Sequence, residues 1–221
     1  MPRTLESLTS QIARDNSSLG DDRVILQLLQ FAARRLPEAD VYRHENGFVK
    51  VTLGSFFHRQ IRVHLWDQGH DWSVSNIHSH RHPILSRIVA GSFEETRWQP
   101  HASGVSLRRY AFKPGTPGQL ELVECGSISL RSDAVRVRRA GHLYSIPVDE
   151  FHTVRPLVLP TITVFTQDLS VYNEAMVASD RLLAAVRRPQ LMEASARKAV
   201  YDILSEQISL IQLKLNDRRS E

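Results

Sequence analysis

Two histidines separated by one residue, His78 and His80 in Ile77-His78-Ser79-His80-Arg81-His82-Pro83, are where this chain first offers chemistry. In an extended segment, residues i and i+2 point to the same face. The two imidazoles therefore stand side by side, as a divalent metal requires of its first two ligands. A third imidazole is available further on, where His152 ends the stretch Gly141-His142-Leu143-Tyr144-Ser145-Ile146-Pro147-Val148-Asp149-Glu150-Phe151-His152. The chain holds ten histidines, so a lone pair would mean little; a metal reading needs the third ligand and its geometry. Three neutral imidazoles suit Fe(II), Zn(II), Cu(II), Ni(II) or Mn(II), and affinity order alone does not choose. Three protein ligands also leave coordination positions open, which separates a catalytic site from a closed structural one.

Both segments carry a pattern. His78, His80 and Gly91 fall at the spacing of the first motif of the cupin superfamily, with Ile84 at its glutamate position and Trp72 where it wants a leading glycine, the nearest being Gly69. Gly141, Pro147 and His152 match the second motif, with Asp149 in place of its glycine and Pro156 in place of its asparagine. The chain thus resembles the cupins, small β-barrels that hold one metal in the barrel mouth. Within that superfamily, Trp66 to Trp98 is most similar to cysteine dioxygenase and related thiol dioxygenases, which lack the motif glutamate and bind ferrous iron with three histidines. Ala90-Gly91-Ser92-Phe93-Glu94-Glu95-Thr96 and Phe151-His152-Thr153-Val154 add to the likeness.

The resemblance implies one divalent metal on His78, His80 and His152, with Fe(II) favoured and Zn(II), Ni(II) or Mn(II) as alternatives. Departures limit what else carries over. Leu85 stands where many cysteine dioxygenases carry the cysteine of a Cys-Tyr cross-link. Thr161 to Gln167 has no counterpart of their active-site His and Tyr, and Val49-Lys50 occupies the region of their carboxylate-binding arginine. The metal site carries over; the cysteine substrate does not.

Around the three histidines other side chains are candidates. By alignment on Trp66, His64 falls where thiol dioxygenases line their pocket, as a general base or substrate contact, or as a satisfied polar residue at the barrel edge. Arg62 and Lys50 are candidates to hold a substrate carboxylate. His82 continues the alternation until Pro83 interrupts it, and reads as a neighbour of the site rather than a ligand. Asp149 and Glu150 either orient an imidazole, as metal ligands usually require, or are plain turn residues. Cys125 has no neighbouring His or Lys to activate it and reads as an idle thiol.

These residues need a scaffold, and the hydrophobic pattern describes one. Leu5, Leu8 and Ile12 mark a short amphipathic helix. A second begins near Asp21-Asp22, carries Val24, Ile25, Leu28, Leu29, Ala32 and Leu36 on one stripe, and stops at Pro37. From Phe48 to Asp168 the chain reads as strands. Ile61, Val63 and Leu65 share one face of theirs, Arg62, His64 and Trp66 the other. Ser106–Phe112, Leu120–Glu124, Ser127–Arg131, Ala134–Arg138 and Thr161–Thr166 continue the series, separated by Lys113–Gly118, Cys125-Gly126 and Ser132-Asp133. Tyr172–Arg188 and Leu191–Leu215 read as two helices joined at Pro189, with polar residues from Asn216 to Glu221 frayed at the end. The expected architecture is mainly β: a single cupin jelly-roll barrel over 41–168, N-terminal helices over 1–40 packed on it, and a C-terminal helical extension over 169–221.

Composition narrows the function classes. At 221 residues the chain can bury a full barrel core, and its 42% hydrophobic and 24% charged residues are ordinary for a globular protein. No apolar run is long enough to span a membrane, and the N-terminus lacks the apolar core of a signal peptide. One cysteine excludes an internal disulfide and fits a reducing cytoplasm. The +4 charge is scattered without a recognition motif, which argues against nucleic acid. The expected partner is a small-molecule substrate, and the C-terminal stripe packs on its own barrel or joins a homodimer. The leading expectation is an iron-dependent dioxygenase acting on a small polar or thiol-bearing molecule. The alternatives are a non-oxidative metal-dependent cupin (an isomerase or lyase, with zinc) and a non-enzymatic binding cupin that signals through its helical tail.

Overall fold

The structure is a computed structural model that describes residues 4–37, 41–44, 46–56, 59–67, 76–114, 120–168, 174–187 and 190–220. Two helices open the chain. In α1 (Leu5–Arg14) the Thr4 hydroxyl caps the first turn by accepting from the Ser7 amide at 3.1 Å, and Leu8 and Ile12 are buried. In α2 (Asp22–Arg35) the Asp21 carboxylate does the same for the Arg23 amide at 2.8 Å. Its stripe Val24, Ile25, Leu28, Leu29 and Ala32 is buried, and the helix ends just before Pro37.

Among the described residues eleven strands follow, all paired antiparallel: β1 (Val41–Arg43), β2 (Val49–Phe56), β3 (Arg59–Trp66), β4 (Ile77–His78), β5 (Ile84–Pro114), β6 (Leu120–Arg139), β7 (Leu143–Ile146), β8 (Phe151–Asp168), β9 (Ala175–Ser179), β10 (Val186–Arg187) and β11 (Gln190–Leu191). The sheet closes because its longest strands bend and change partner. The first part of β5 pairs with β8 and with the end of β6. Its last part pairs with β9 and the start of β6, while β9 returns through β4 to β8. The result is a jelly-roll barrel carrying helices at both ends of the chain. Gly91 sits where β5 passes β8 with φ +71°, and a Cβ there would meet the Pro160 and Val158 carbonyl oxygens at 2.5 Å.

The main core lies between the helices and one face of β2 and β3. Val49, Val51, Leu53, Ile61, Val63 and Leu65 pack with the α2 stripe, Ile162 and Val164. The final helix, α3 (Ala194–Ser220), adds Val200 and Leu204 to this cluster, with Ile203, Ile208 and Ile211 against it. The apolar stripe of α3 therefore serves its own domain, while Tyr201, Leu210 and Leu213 remain exposed. No helix among the described residues is long and apolar enough to cross a membrane.

Three expectations are corrected. The helix expected over Tyr172–Arg188 is replaced by β9 and β10, because Ala175–Ser179 finds open ladder edges on β4 and β5; Tyr172, Asn173 and Arg188 lie outside the described residues. The breaks expected at Cys125-Gly126 and Ser132-Asp133 are register shifts inside one continuous β6, so turn-forming residues here make bulges rather than turns. The tail expected to fray beyond Asn216 is helical through Ser220, held where Arg218 and Lys214 reach Asp22 at 3.3 and 2.9 Å.

Candidate metal centre and its pocket

β4 and β8 bring the histidines together. His78 and His152 are direct cross-strand partners, and His80 lies two residues beyond His78. Between them lies the buried Ser79. Its amide donates to the Met176 carbonyl at 2.8 Å and its hydroxyl accepts from the Met176 amide at 3.0 Å, which ties the strand end to β9.

The three ligand nitrogens lie within 4.8 Å of one another. His80 Nε2 and His152 Nε2 are 2.9 Å apart, and the ring centroids of His78 lie 4.9 Å from His80 and 4.5 Å from His152. Two nitrogens bound at right angles to one ion at ordinary distances would be about 3 Å apart. His78 Nδ1 donates to the Asn76 carbonyl at 3.1 Å, which leaves its Nε2 lone pair for a ligand role. Burial pushes all three imidazoles below their usual pKa, His80 and His152 well below, and each of these two is lowered further by its histidine neighbours. Neutral imidazole is the form that coordinates a metal, so the three-histidine group could hold a divalent ion.

A cavity of about 280 Å³ opens beside this group. His64, Arg62 and Lys50, the substrate-side candidates, all line it, as do His82 and Arg81. His64 stacks on Phe48 at 4.3 Å and lies tilted against Phe165 at 4.8 Å. Among the described residues its buried Nε2 has no hydrogen-bond partner, and burial, then the nearby Arg62 and Lys50 charges, hold its pKa well below the usual value. A neutral histidine at pH 7 is the consequence. The Lys50 ammonium stands 5.0 Å over the Tyr42 ring, and burial together with Arg62 lowers its pKa to about 7. Arg62 donates from Nε to Gln60 Oε1, lies over Phe165 at 5.8 Å, and is pushed by burial to about 10. His82 lines the cavity outside the three-ligand group.

Asp149 and Glu150 do not orient His152. Glu150 is ion-paired with Arg97, while Asp149 has φ +64° and gives its amide to the His80 carbonyl at 3.3 Å. What surrounds His152 instead is a buried ionic cluster that the sequence did not announce. Glu95, fully buried, meets Arg97 at 2.6 Å and Arg138 at 2.8 Å, and Arg97 is the cross-strand partner of His152. The signal was Glu95 and Arg97 at i, i+2 on an otherwise inward-facing strand segment. Tyr144 completes this side, under the Arg138 guanidinium at 5.1 Å, its hydroxyl pKa raised by burial. Leu85, at the position of the missing cross-link, packs against the main apolar core on the other face of the sheet.

No family model and no curated protein matches the sequence. Among solved structures the chain is similar to an RmlC-like cupin from Shewanella frigidimarina, with 15% identity, 61% of this chain and 87% of that one covered, and a TM-score of 0.35. It is similar to a variant oxalate decarboxylase from Bacillus subtilis, at 13% identity over 62% of this chain and 29% of that one, TM-score 0.36. A hydroquinone 1,2-dioxygenase solved with Cd2+ and 4-hydroxybenzonitrile gives 10% identity, 58% and 68% coverage, and a TM-score of 0.36. Likenesses this distant carry no inference about activity.

Proposed function

We propose that this protein is a mononuclear metal-dependent enzyme whose ion is held by His78, His80 and His152. The observation that carries the reading is the convergence of three neutral imidazoles, His152 buried and His78 and His80 half-buried, at a cavity they line. Histidine ligands bring no negative charge, so a divalent ion there keeps its full charge and favours an anionic substrate donor such as a thiolate or carboxylate. The ion, when bound, would supply Lewis-acid or redox chemistry at its open positions. Fe(II) and dioxygenation of a small polar or thiol-bearing molecule is the leading form of this reading, by resemblance to the three-histidine cupins. In it His64 offers a neutral ring nitrogen for a substrate proton, and the aromatic walls exclude water.

A second form is a non-oxidative reaction, with zinc. The placement of Leu85 against the apolar core favours it, since that position cannot contribute a group to the pocket.

Elemental analysis of protein purified without a histidine tag tests the reading, beside His152→Ala. About one iron per chain, lost in the variant, supports the site and directs assays to oxygen consumption with thiols. Stoichiometric zinc turns the reading to the non-oxidative form. No metal in either, even after reconstitution, sinks it.

A further inference from the structure

A second cavity, of about 370 Å³, lies where the start of α2, the end of α3 and one residue of β5 meet. Four cations line it, Arg23, Arg87, Lys214 and Arg218, against two carboxylates, Asp21 and Asp22. Asp22 carries the pairing: its Oδ1 accepts from Arg87, and its Oδ2 faces Lys214 at 2.9 Å and Arg218 at 3.3 Å. Three cations thus share one carboxylate. The ionic cluster beside His152 is balanced by contrast, because Arg97 and Arg138 there meet Glu95 and Glu150. Lys214 and Arg218 also stand four residues apart on one helix, a spacing at which like charges repel. Both are more than half exposed, so their pairing with Asp22 offsets little of that repulsion. Arg87 forms the floor. It is only 7% exposed, donates to the Leu19 carbonyl at 3.0 Å, and keeps an Nε with no hydrogen-bond partner among the described residues. Gly20 lines the same cavity, and a Cβ built on it would meet nothing within 4 Å, so the space beside it is open.

This cavity is separate from the histidine pocket. Leu85 and Val89, two residues to either side of Arg87, pack against the main apolar core, whereas Ile84 lines the histidine pocket. Arg87 therefore faces the helices, and the second cavity is independent of any ion at the histidines.

We propose that the second cavity binds a phosphate group, free or carried by a small molecule. The anion takes Lys214, Arg218 and Arg23 as partners, leaves Asp22 to Arg87, and fixes the end of α3 on α2. A doubly charged oxyanion matches the excess of two positive charges in the lining, and guanidinium groups present paired donors to its oxygens. A single carboxylate leaves half of that excess standing.

The test is calorimetric, on the intact chain at constant ionic strength so that screening does not change between titrations. The probes are inorganic phosphate, glycerol phosphate and acetate. Inorganic phosphate binds once per chain, and acetate gives no binding. Lys214→Gln and Arg218→Gln each weaken phosphate by about tenfold or more, the loss of a charge-assisted contact. Arg218→Lys retains the binding. Lys198→Gln removes the same charge from an exposed site elsewhere on α3 and leaves the affinity unchanged. Glycerol phosphate binding as tightly as inorganic phosphate assigns the site to a phosphorylated small molecule; inorganic phosphate alone assigns it to the free ion. Hydrogen exchange is the second readout: phosphate slows the amides of residues 210–220 in the native chain and not in Arg218→Gln. Phosphate binding that is absent, unchanged in both glutamine variants, or weakened equally by Lys198→Gln overturns the site. Binding without slower exchange over 210–220 overturns the fixing of α3.

Discussion

Strand β3 carries two different interiors on its two faces. Ile61, Val63 and Leu65 sink into a core of aliphatic side chains from β2, β8 and α2, while the alternating Arg62, His64 and Trp66 line the cavity. β2 repeats the division, since Val49 and Val51 pair with Leu65 and Val63, and Lys50 pairs with His64. The aliphatic face needs no partner chemistry: every contact there is favourable in the resting molecule. The cavity face holds half-buried cations and an unpartnered imidazole nitrogen, groups that cost stability until something binds. Stability and ligand chemistry are thus written on alternate residues of the same strands, and each can be changed with limited damage to the other.

The strongest way to break this comparison is to unpair a charge that the interior does hold paired. Glu95→Ala leaves Arg97 and Arg138 buried without their shared carboxylate and is expected to cost about 3–5 kcal/mol in urea unfolding. Next come two neighbours with opposite outcomes. Leu65→Ala on the aliphatic face is expected to lose about 2–5 kcal/mol while metal content stays unchanged. His64→Leu, of similar volume, is expected to change stability by less than about 1.5 kcal/mol and to impair substrate turnover.

A finer test uses pH. Lys50 titrates near 7 in the folded chain, whereas the unfolded chain keeps that proton to its ordinary value of 10.5. Between those values the unfolded state binds more protons, so stability rises with pH across the interval and the cost of burying the charge is full below about 7. Lys50→Met is expected to flatten the melting temperature against pH over that window. The smallest effect belongs to neither interior. Lys198→Ala removes an exposed i,i+4 pair with Asp202 on α3 and should shift stability by under about 0.5 kcal/mol.

Much of this division was legible in the sequence because it rests on a period of two. The faces of β3, the pairing of His78 with His80 and the stripe of α2 all follow from alternation or helical spacing in a single segment. What failed was whatever depends on a partner distant in sequence. Leu182-Leu183-Ala184-Ala185 are good helix formers, yet they form an irregular link, because the residues on either side are drawn into β9 and β10 by open ladder edges on β4, β5 and β6. Nothing in the sequence gave Glu95 and Arg97 a role, because only the fold brings Arg138 and Glu150 to them. Glu150, a support for His152 or a plain turn residue on proximity along the chain, is instead ion-paired with the Arg97 guanidinium.

The length of β8, with His152 at one end and the aliphatic core at the other, has a consequence for how the protein is made. His80 and His152 are 72 residues apart, and at ribosomal rates of about 5–20 residues per second roughly 4–14 s separate their appearance. During that interval the first two histidines exist without the third, in a chain whose barrel has not closed. The same strand that delivers His152 also delivers Ile162 and Val164 to the core. Ion capture and core completion therefore become possible within the synthesis of one strand, and an unfinished chain offers a passing metal only a two-toothed grip.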